Sequence, residues 1–256
     1  MPNLLKAARD AREGRAIACE QTSIDALLHA AADESLEPAF RAQALALPSE
    51  SDISRELGSN NDPDAIHAGR QAVMKQIADR GIAIFTGLFE KMTTPGDFSP
   101  DAKSAGRRAL RNAALTYLSY VENGPARAKA AFDAANNMTE RLHALTVLAH
   151  RFPESGEAIA ALSTFRDHFA ENALVIDKWF SVQATIPGPR ALDRVRKLME
   201  IRSSIAPIRT AFARLSARLP SPIPPASAGP MAKAIASWRA RSSISTSVIR
   251  SLLPAS

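Results

Sequence analysis

Apolar residues recur at helical spacing through most of this 256-residue chain, and this pattern constrains the fold more than any other feature. The pattern is clearest in three sets: Leu110, Ala114, Tyr117, Leu118 and Val121; Leu142, Leu145, Leu148 and Phe152; and Ile159, Leu162, Phe165 and Phe169. Residues three or four apart share one face of an α-helix, so each set forms an apolar stripe. The alternation of apolar and polar residues that is typical of strands is hard to find. The pattern therefore predicts an all-α fold over residues 1–200.

Helix boundaries are marked by capping residues and by proline and glycine. Asp62 and Ser99 each precede a proline, and Asn137 and Ser155 are weaker candidates for N-caps. We expect breaks at Gly124-Pro125 and Pro187-Gly188-Pro189, and a helix end with an apolar loop within residues 82–98. Helices of about 10–15 residues with short connections predict paired helices stacked as a right-handed superhelix of the HEAT or armadillo type.

The charge distribution changes sharply near residue 200. Residues 201–256 contain eight Lys or Arg, seven Pro and twelve Ser, but no Asp or Glu. The whole chain has a formal charge of +6, so residues 1–200, with 24 basic and 26 acidic residues, carry −2. We therefore divide the chain into a helical domain at residues 1–200 and a basic tail at residues 201–256, for which composition predicts disorder or loose packing.

The basic tail raises the question of nucleic-acid binding. Arg239 and Arg241 flank Trp238, which superficially resembles a site that stacks a base. We favour a solvated basic segment, because a nucleic-acid module would usually place its charges on a recognisable fold.

The sequence also bears on the compartment of the protein. Cys19 is the one cysteine, which excludes an internal disulfide and suits a reducing environment. The first residues lack the apolar stretch of a secretory signal, and no apolar run approaches the roughly 20 residues that span a bilayer. We expect a cytoplasmic protein with no membrane partner.

Few residues have the spacing that catalysis or ligand binding requires. Cys19 has no candidate partner for nucleophilic catalysis. The pairs Asp33 with Glu34 and Asp52 with Glu56 could be acid–base pairs, but solvated helix ends are the favoured interpretation. Trp179 with Phe180 could stack a ligand, although we expect both rings in the core. The sequence has no glycine-rich phosphate loop, which argues against a nucleotide site.

Five blocks of the sequence, in this order, resemble one family. They are residues 35–50, 62–68, 104–112, 137–142 and 173–199, the last of which contains Asp177-Lys178-Trp179-Phe180 and the Pro187-Gly188-Pro189 turn. They resemble the C-terminal helical domain of bacterial aminopeptidase N, over residues 20–199. That family consists of zinc-dependent hydrolases that remove N-terminal amino acids from peptides, so the resemblance implies a helical-repeat domain of a metallopeptidase.

The catalytic motifs of that family are absent from this chain. The family binds zinc through His-Glu-x-x-His and a downstream Glu, and holds the substrate amine with a Gly-Ala-Met-Glu-Asn motif. No histidine here is followed by Glu, and no two are four residues apart; the five are His29, His67, His143, His150 and His168. His143 and His150 could share a helix face, where we favour polar edge residues over metal ligands. We predict no catalytic, cofactor-binding or metal-binding residue.

The resemblance implies an accessory role for the chain. In the family this domain covers the opening of the active site and narrows the route for peptides, although the arginines that face that channel lie beyond the segment matching residues 177–180. We interpret the chain as a detached C-terminal domain, inactive alone, with the upstream catalytic part as its partner. One alternative is an independent helical scaffold that binds peptides or proteins, and another is nucleic-acid binding through the tail.

The resemblance ends where the basic tail begins. Family members continue with a sequence similar to Asn-Pro-Asn-Arg-Val-Arg, and one choice of codons for its last five residues, read one base late, encodes Arg-Thr-Ala-Phe-Ala. That is the sequence of residues 209–213. A frameshifted gene fragment is therefore one hypothesis for the tail, and a genuine disordered segment is the other. Loss of the following helices would expose an apolar face formed by Leu174, Val175, Leu192, Val195 and Leu198, which predicts low stability or self-association.

Overall fold

The computed structural model describes residues 1–59, 61–94 and 96–204, without the side chains of residues 202–204. In these ranges the regular secondary structure consists of eleven α-helices and no strand, so the predicted all-α class is confirmed there. The helices are α1 (Pro2–Arg12), α2 (Gln21–Ala32), α3 (Pro38–Ala44), α4 (Glu50–Leu57), α5 (Pro63–Lys91), α6 (Ala102–Leu118), α7 (Gly124–Ala134), α8 (Met138–Arg151), α9 (Gly156–His168), α10 (Ala173–Ala184) and α11 (Ala191–Ser204). They belong to two compact units, Met1–Asp167 and a second unit that begins at His168.

Three of the predicted N-caps are confirmed. The carboxylate of Asp62 accepts hydrogen bonds from the N–H groups of Asp64 and Ala65, at 3.0 and 3.2 Å. The side chain of Asn137 accepts from the N–H of Glu140 at 3.0 Å, and the hydroxyl of Ser155 accepts from Ala158 at 3.1 Å. Each side chain supplies an acceptor to an N–H group that has no partner within its helix.

The predicted cap at Ser99 is wrong, because α6 begins two residues later. Asp101 caps this helix by accepting from the N–H of Ser104 at 2.9 Å, and the Ser99 hydroxyl donates to the Asp101 carboxylate at 2.6 Å. A carboxylate is the stronger acceptor at the positive end of a helix. The Gly124-Pro125 break is the start of α7, where Asn123 turns the chain with a φ of 61°.

Helix α5 is the central element of the first unit. It packs against α1, α2, α4 and α6, and at 29 residues it is far longer than the helices that the sequence predicts. The helix end expected within residues 82–98 lies at Lys91, and the helix buries Phe85 and Leu88 before it ends.

Two aromatic rings join α5 to α6 in the core. The rings of Phe85 and Tyr117 are stacked, with centroids 4.5 Å apart and planes 6° from parallel. The Tyr117 hydroxyl donates to the carbonyl oxygen of Leu45 at 2.8 Å, and burial raises the pKa of this phenol above its usual value. A buried phenol usually finds such a partner, because an unpaired hydroxyl there would be costly.

Gly69 allows α1 and α5 to approach closely. A Cβ atom at this position would lie 2.7 Å from the backbone carbon of Ala7 and 2.8 Å from the backbone nitrogen of Ala8. Backbone atoms cannot move aside as a side chain can, so any larger residue would push the two helices apart.

A buried ion pair connects α6 to α8. The side chains of Arg111 and Glu140 are 13% and 9% exposed, and their nearest nitrogen and oxygen lie 3.0 Å apart. Arg111 Nε also donates to the carbonyl oxygen of Phe89 at 3.1 Å, and its guanidinium lies 4.2 Å from the centroid of the Phe89 ring. The guanidinium is therefore held by a charge, a carbonyl dipole and an aromatic face.

The second unit contains the helix pair α10 and α11 on either side of the predicted Pro-Gly-Pro turn, in which Gly188 has a φ of 126°. The predicted exposed apolar face is only partly correct. Leu174 is 73% exposed, but Leu198 is only 7% exposed, and Val175, Leu192 and Val195 are half-buried. Helix α11 runs to Ser204, past the predicted domain boundary at residue 200, and residues 205–256 of the tail lie outside the described residues.

Candidate functional site

The five histidines are dispersed over the helices. His29 is exposed on α2, and His168 lies edge-on to Phe169 with ring centroids 4.5 Å apart. The His143 Nε2 atom lies 2.9 Å from the Thr116 hydroxyl, and burial lowers the pKa of His143 to about 4. His150 is half-buried on the same helix. His143 is therefore a polar side chain packed at the edge of α8.

The described residues do not fit a zinc site. In that part of the chain no three His, Cys, Asp or Glu side chains are grouped as a metal centre requires. A His-Glu-x-x-His zinc centre cannot be assembled from them, and no catalytic step is assigned to a metal here.

Cys19, Asp33 and Glu34, the next candidates from the sequence, each lie in or beside contacts of structural type. Cys19 is half-buried, its backbone N–H donates to the Gln76 side chain at 3.0 Å, and burial raises the pKa of the thiol. Asp33 accepts from the backbone N–H and the hydroxyl of Ser35, at 2.9 and 2.6 Å. Glu34 forms an ion pair with Lys91 at 3.2 Å. The Asp33 carboxylate therefore stabilises the turn after α2, and the Glu34 carboxylate belongs to a surface ion pair.

Asp52 and Glu56 do not form an acid–base pair either. Asp52 belongs to the capping box of α4 with Ser49, and it contacts Arg55 at 3.2 Å, whereas Glu56 is exposed. Trp179 and Phe180 are both buried, as expected for core residues, and their rings meet edge to face with centroids 5.1 Å apart. Trp238, Arg239 and Arg241 lie outside the described residues.

A polar cluster that no sequence pattern predicted lies on the first unit. It is formed by Glu50, His67, Arg70, Gln71, Tyr120 and Arg151, and we call it the Arg70–Arg151 cluster. The residues come from α4, from the first turns of α5, from the segment after α6 and from the last residue of α8. Residues separated by as many as 101 positions in the sequence thus meet at one place.

Gln71 and Tyr120 fix Arg151 in the cluster. The Arg151 guanidinium stacks on the Tyr120 ring, with its central carbon 3.5 Å from the ring centroid. The Gln71 side-chain oxygen accepts from both Arg151 Nη1 and the Tyr120 hydroxyl, at 2.6 and 2.7 Å. Arg151 Nε is buried and has no hydrogen-bond acceptor among the described residues.

His67 and Glu50 form the other part of the cluster. His67 Nδ1 lies 2.7 Å from Glu50 Oε1, so the carboxylate raises the pKa of His67 and the imidazole lowers the pKa of Glu50. Arg70 and Arg151 oppose the rise in the pKa of His67, which places both guanidinium groups within electrostatic range of this ring. The cluster is therefore rich in cations and contains a single carboxylate among the residues named.

The chain is similar to one helical-repeat domain family and to bacterial aminopeptidases. Residues 2–203 match the family model described as a domain of unknown function (DUF3458_C) with ARM repeats, in agreement with the predicted helical-repeat fold. The chain is 40% identical over 184 residues to aminopeptidase N of Caulobacter vibrioides, over 71% of this chain and 21% of that protein. It is 32% identical over 199 residues to aminopeptidase N of Escherichia coli, over 75% and 22% of the two chains.

A solved structure is also similar. The crystal structure of Legionella pneumophila aminopeptidase A in complex with aspartic acid superposes with a TM-score of 0.66 at 27% identity, and the match covers 77% of this chain and 24% of that one. The chain thus spans about a fifth of the length of the curated relatives. In the described part of this chain, no helix combines the length and the apolar character needed to cross a membrane.

Proposed function

Because this chain belongs to the family of DUF3458_C ARM-repeat domains, we propose that it is the accessory helical domain of an aminopeptidase N and acts with a catalytic part that it does not contain. One observation carries the proposal: the chain matches aminopeptidase N over 71–75% of its own length, and this match covers only 21–22% of each relative. The reacting groups would then belong to the remaining four fifths. The resemblance of the five sequence blocks to the C-terminal helical domain of the family supports the same assignment.

The chemistry of peptide hydrolysis supports separate roles for the catalytic part and the helical domain. A zinc ion polarises the scissile carbonyl and lowers the pKa of its bound water, and a carboxylate moves the proton. The catalytic part would supply these groups, since the described residues of this chain do not gather metal ligands. The helical domain would restrict access to the active site and so select peptides by their size.

The test is complementation between two polypeptides. The aminopeptidase N of C. vibrioides, truncated to remove the region that matches this chain, is mixed with the purified 256-residue chain. We expect the two to co-elute in size-exclusion chromatography and turnover of a fluorogenic alanyl substrate to rise above that of the truncated enzyme alone. If the chain neither co-elutes nor changes turnover while the truncated enzyme remains folded, the accessory role is wrong.

The chain alone provides the second arm of this test. We expect it to bind no stoichiometric zinc and to release no product from the alanyl substrate. Metal analysis and the same fluorogenic assay measure both quantities. One tightly bound zinc ion per chain, together with turnover that a chelator abolishes, would contradict the proposal. Tight binding of peptides by the chain without a catalytic part would favour the independent scaffold instead.

We further propose that the basic tail is an out-of-frame translation of the end of an aminopeptidase gene. Two observations support it: the family match ends at residue 203, and no acidic residue follows Glu200. The coding DNA decides the question. A family sequence in the shifted frame supports the proposal, and its absence from both alternative frames refutes it.

A further inference from the structure

Two arginines of the Arg70–Arg151 cluster have more hydrogen-bond donors than the described residues use. A guanidinium carries five N–H donors in a fixed plane. Arg70 makes one described hydrogen bond, from Nε to the carbonyl oxygen of Pro48 at 3.0 Å. Arg151 makes one, from Nη1 to the Gln71 side chain at 2.6 Å, and its buried Nε has no acceptor there. Most donors of both groups therefore have no hydrogen-bond partner among the described residues, and of these the Arg151 Nε is buried.

Arg111 shows how an arginine of this domain is paired with a carboxylate. Arg111 is also half-buried, but it has Glu140 at 3.0 Å, a carbonyl oxygen at 3.1 Å and the face of Phe89. Within the described part of the chain, neither Arg70 nor Arg151 forms an ion pair with a carboxylate. The contrast shows that neither guanidinium has a carboxylate in direct contact, although Glu50 and Arg70 interact at longer range.

The one carboxylate named in this cluster is already engaged. Glu50 lies 2.7 Å from His67, and this contact raises the pKa of the imidazole and favours its charged form. Glu50 is thus shared between His67, which it contacts, and Arg70, which helps to lower the pKa of Glu50 at longer range. One carboxylate therefore faces two guanidinium groups and an imidazole.

The cluster is also held in place before any ligand binds. Stacking on Tyr120 fixes the plane of the Arg151 guanidinium, and Gln71 holds both residues with one oxygen atom. The carbonyl of Pro48 fixes Arg70 in a similar way. Because Arg70, Gln71, Tyr120 and Arg151 are all half-buried, the site is partly shielded from water but still reachable. A planar donor group ordered in this manner suits a planar acceptor with two oxygens.

We propose that Arg70 and Arg151 form a carboxylate-binding site at the end of α8. The ligand is a carboxylate, carried either by a free dicarboxylic acid or by an acidic side chain of a polypeptide. The site does not depend on the proposed accessory function, since all its residues belong to this chain.

Calorimetric titration of the purified 256-residue chain tests the proposal, with NMR shifts to locate binding. The two probes are sodium glutarate and an acetylated, amidated alanine peptide that contains one Glu, at constant ionic strength with chloride. The same peptide with Gln in place of Glu is the ligand control. We expect a Kd of about 1 mM or below for at least one probe, and no binding of the Gln peptide.

Variants assign the binding to the two arginines. Arg70→Gln and Arg151→Gln should each weaken binding by about tenfold or more, because each removes a charged donor. Arg151→Lys keeps the charge but not the planar fork, so its loss should be smaller. Arg166→Gln is the matched control, because Arg166 is an exposed arginine that pairs with Asp167. Thermal melting of every variant verifies that it is folded. If Arg151→Gln does not fold, the binding affinity of Arg70→Gln still tests the proposal.

Each outcome bears on the proposal. Tighter binding of the Glu peptide identifies a polypeptide as the source of the carboxylate, and tighter binding of glutarate identifies a free acid. Failure of both probes to bind the folded chain at about 20 mM would refute the site, since carboxylate affinity would then be negligible. If Arg166→Gln weakened binding equally, the affinity would come from general surface charge, and the proposed site would also be refuted.

Discussion

The Tyr117 hydroxyl donates a hydrogen bond to the carbonyl oxygen of Leu45, 72 residues earlier in the chain. Tyr117 lies near the end of α6, and Leu45 is the residue at the C-terminal end of α3. The bond thus satisfies a carbonyl that its own helix leaves without a partner, and it couples two helices that pack against each other.

The substitution Tyr117→Phe should reduce the free energy of unfolding by about 1–3 kcal/mol, because it leaves the buried Leu45 carbonyl without a donor. Urea denaturation measures the change. Tyr120→Phe is the control: it also removes one hydroxyl, but Gln71 keeps its bond from Arg151, so the loss should be smaller. Equal losses in the two variants would contradict this account.

Gly69→Ala should destabilise the protein by about 1–3 kcal/mol, because the new methyl group would overlap the backbone of Ala7 and Ala8. Gly87→Ala, on the same helix, is the matched control because a Cβ atom added there would meet no neighbouring element within 4 Å. That variant should stabilise the protein by about 0.4–1 kcal/mol, through helix propensity and reduced freedom of the unfolded chain. Opposite shifts in melting temperature are the expected result.

Arg111→Met should cost about 3–5 kcal/mol, because it leaves Glu140 buried without its cationic partner. Combining it with Glu140→Leu should recover much of this loss, since two apolar side chains can replace a buried ion pair. A double-mutant cycle by denaturant unfolding measures the coupling. Additive effects would show that the two charges do not depend on each other.

His143 should make the protein less stable in acid. Burial lowers its pKa to about 4 in the folded state, whereas the unfolded side chain titrates near 6.5. The unfolded state therefore gains a proton first as the pH falls, and the free energy of unfolding decreases between these values by up to about 3 kcal/mol. His143→Gln should flatten this part of the pH profile; an unchanged slope would refute the assignment.

His67 should act in the opposite direction. Its pair with Glu50 raises the pKa of the folded imidazole, so its contribution is complete below the unfolded value and is lost as the pH rises through the folded one. Glu50, with a lowered pKa, contributes above its unfolded value near 4.5 and loses this as the pH falls through its folded value. Both groups are partly exposed, so the effect should stay below about 1 kcal/mol. Stability profiles of His67→Gln between pH 4.5 and 8 test the sign.

Local patterns predicted much of the fold. Asp62 and Asn137 cap their helices as predicted, because a cap depends on residues only two or three positions away. The segment after residue 82 was harder to interpret. Helix α5 is packed by several neighbours, so apolar residues surround more of its circumference and the single stripe disappears.

Sequence patterns could not predict the Arg70–Arg151 cluster. Arg70 and Arg151 are 81 positions apart, and neither belongs to a motif. Tyr120 and Gln71 appear in the sequence as ordinary polar residues, and only the packing of α5, α6 and α8 brings them to the guanidinium of Arg151. The predicted lack of catalytic residues stays a prediction.

The close approach of α1 and α5 at Gly69 has a consequence for synthesis on the ribosome. Helix α1 ends at Arg12, but its principal neighbour is not complete until Lys91. At about 5–20 residues per second, the nascent α1 waits about 4–16 s for the helix that covers it. Until then Leu4, Ala7 and Ala8, which are buried in the finished domain, lack the helix that covers them.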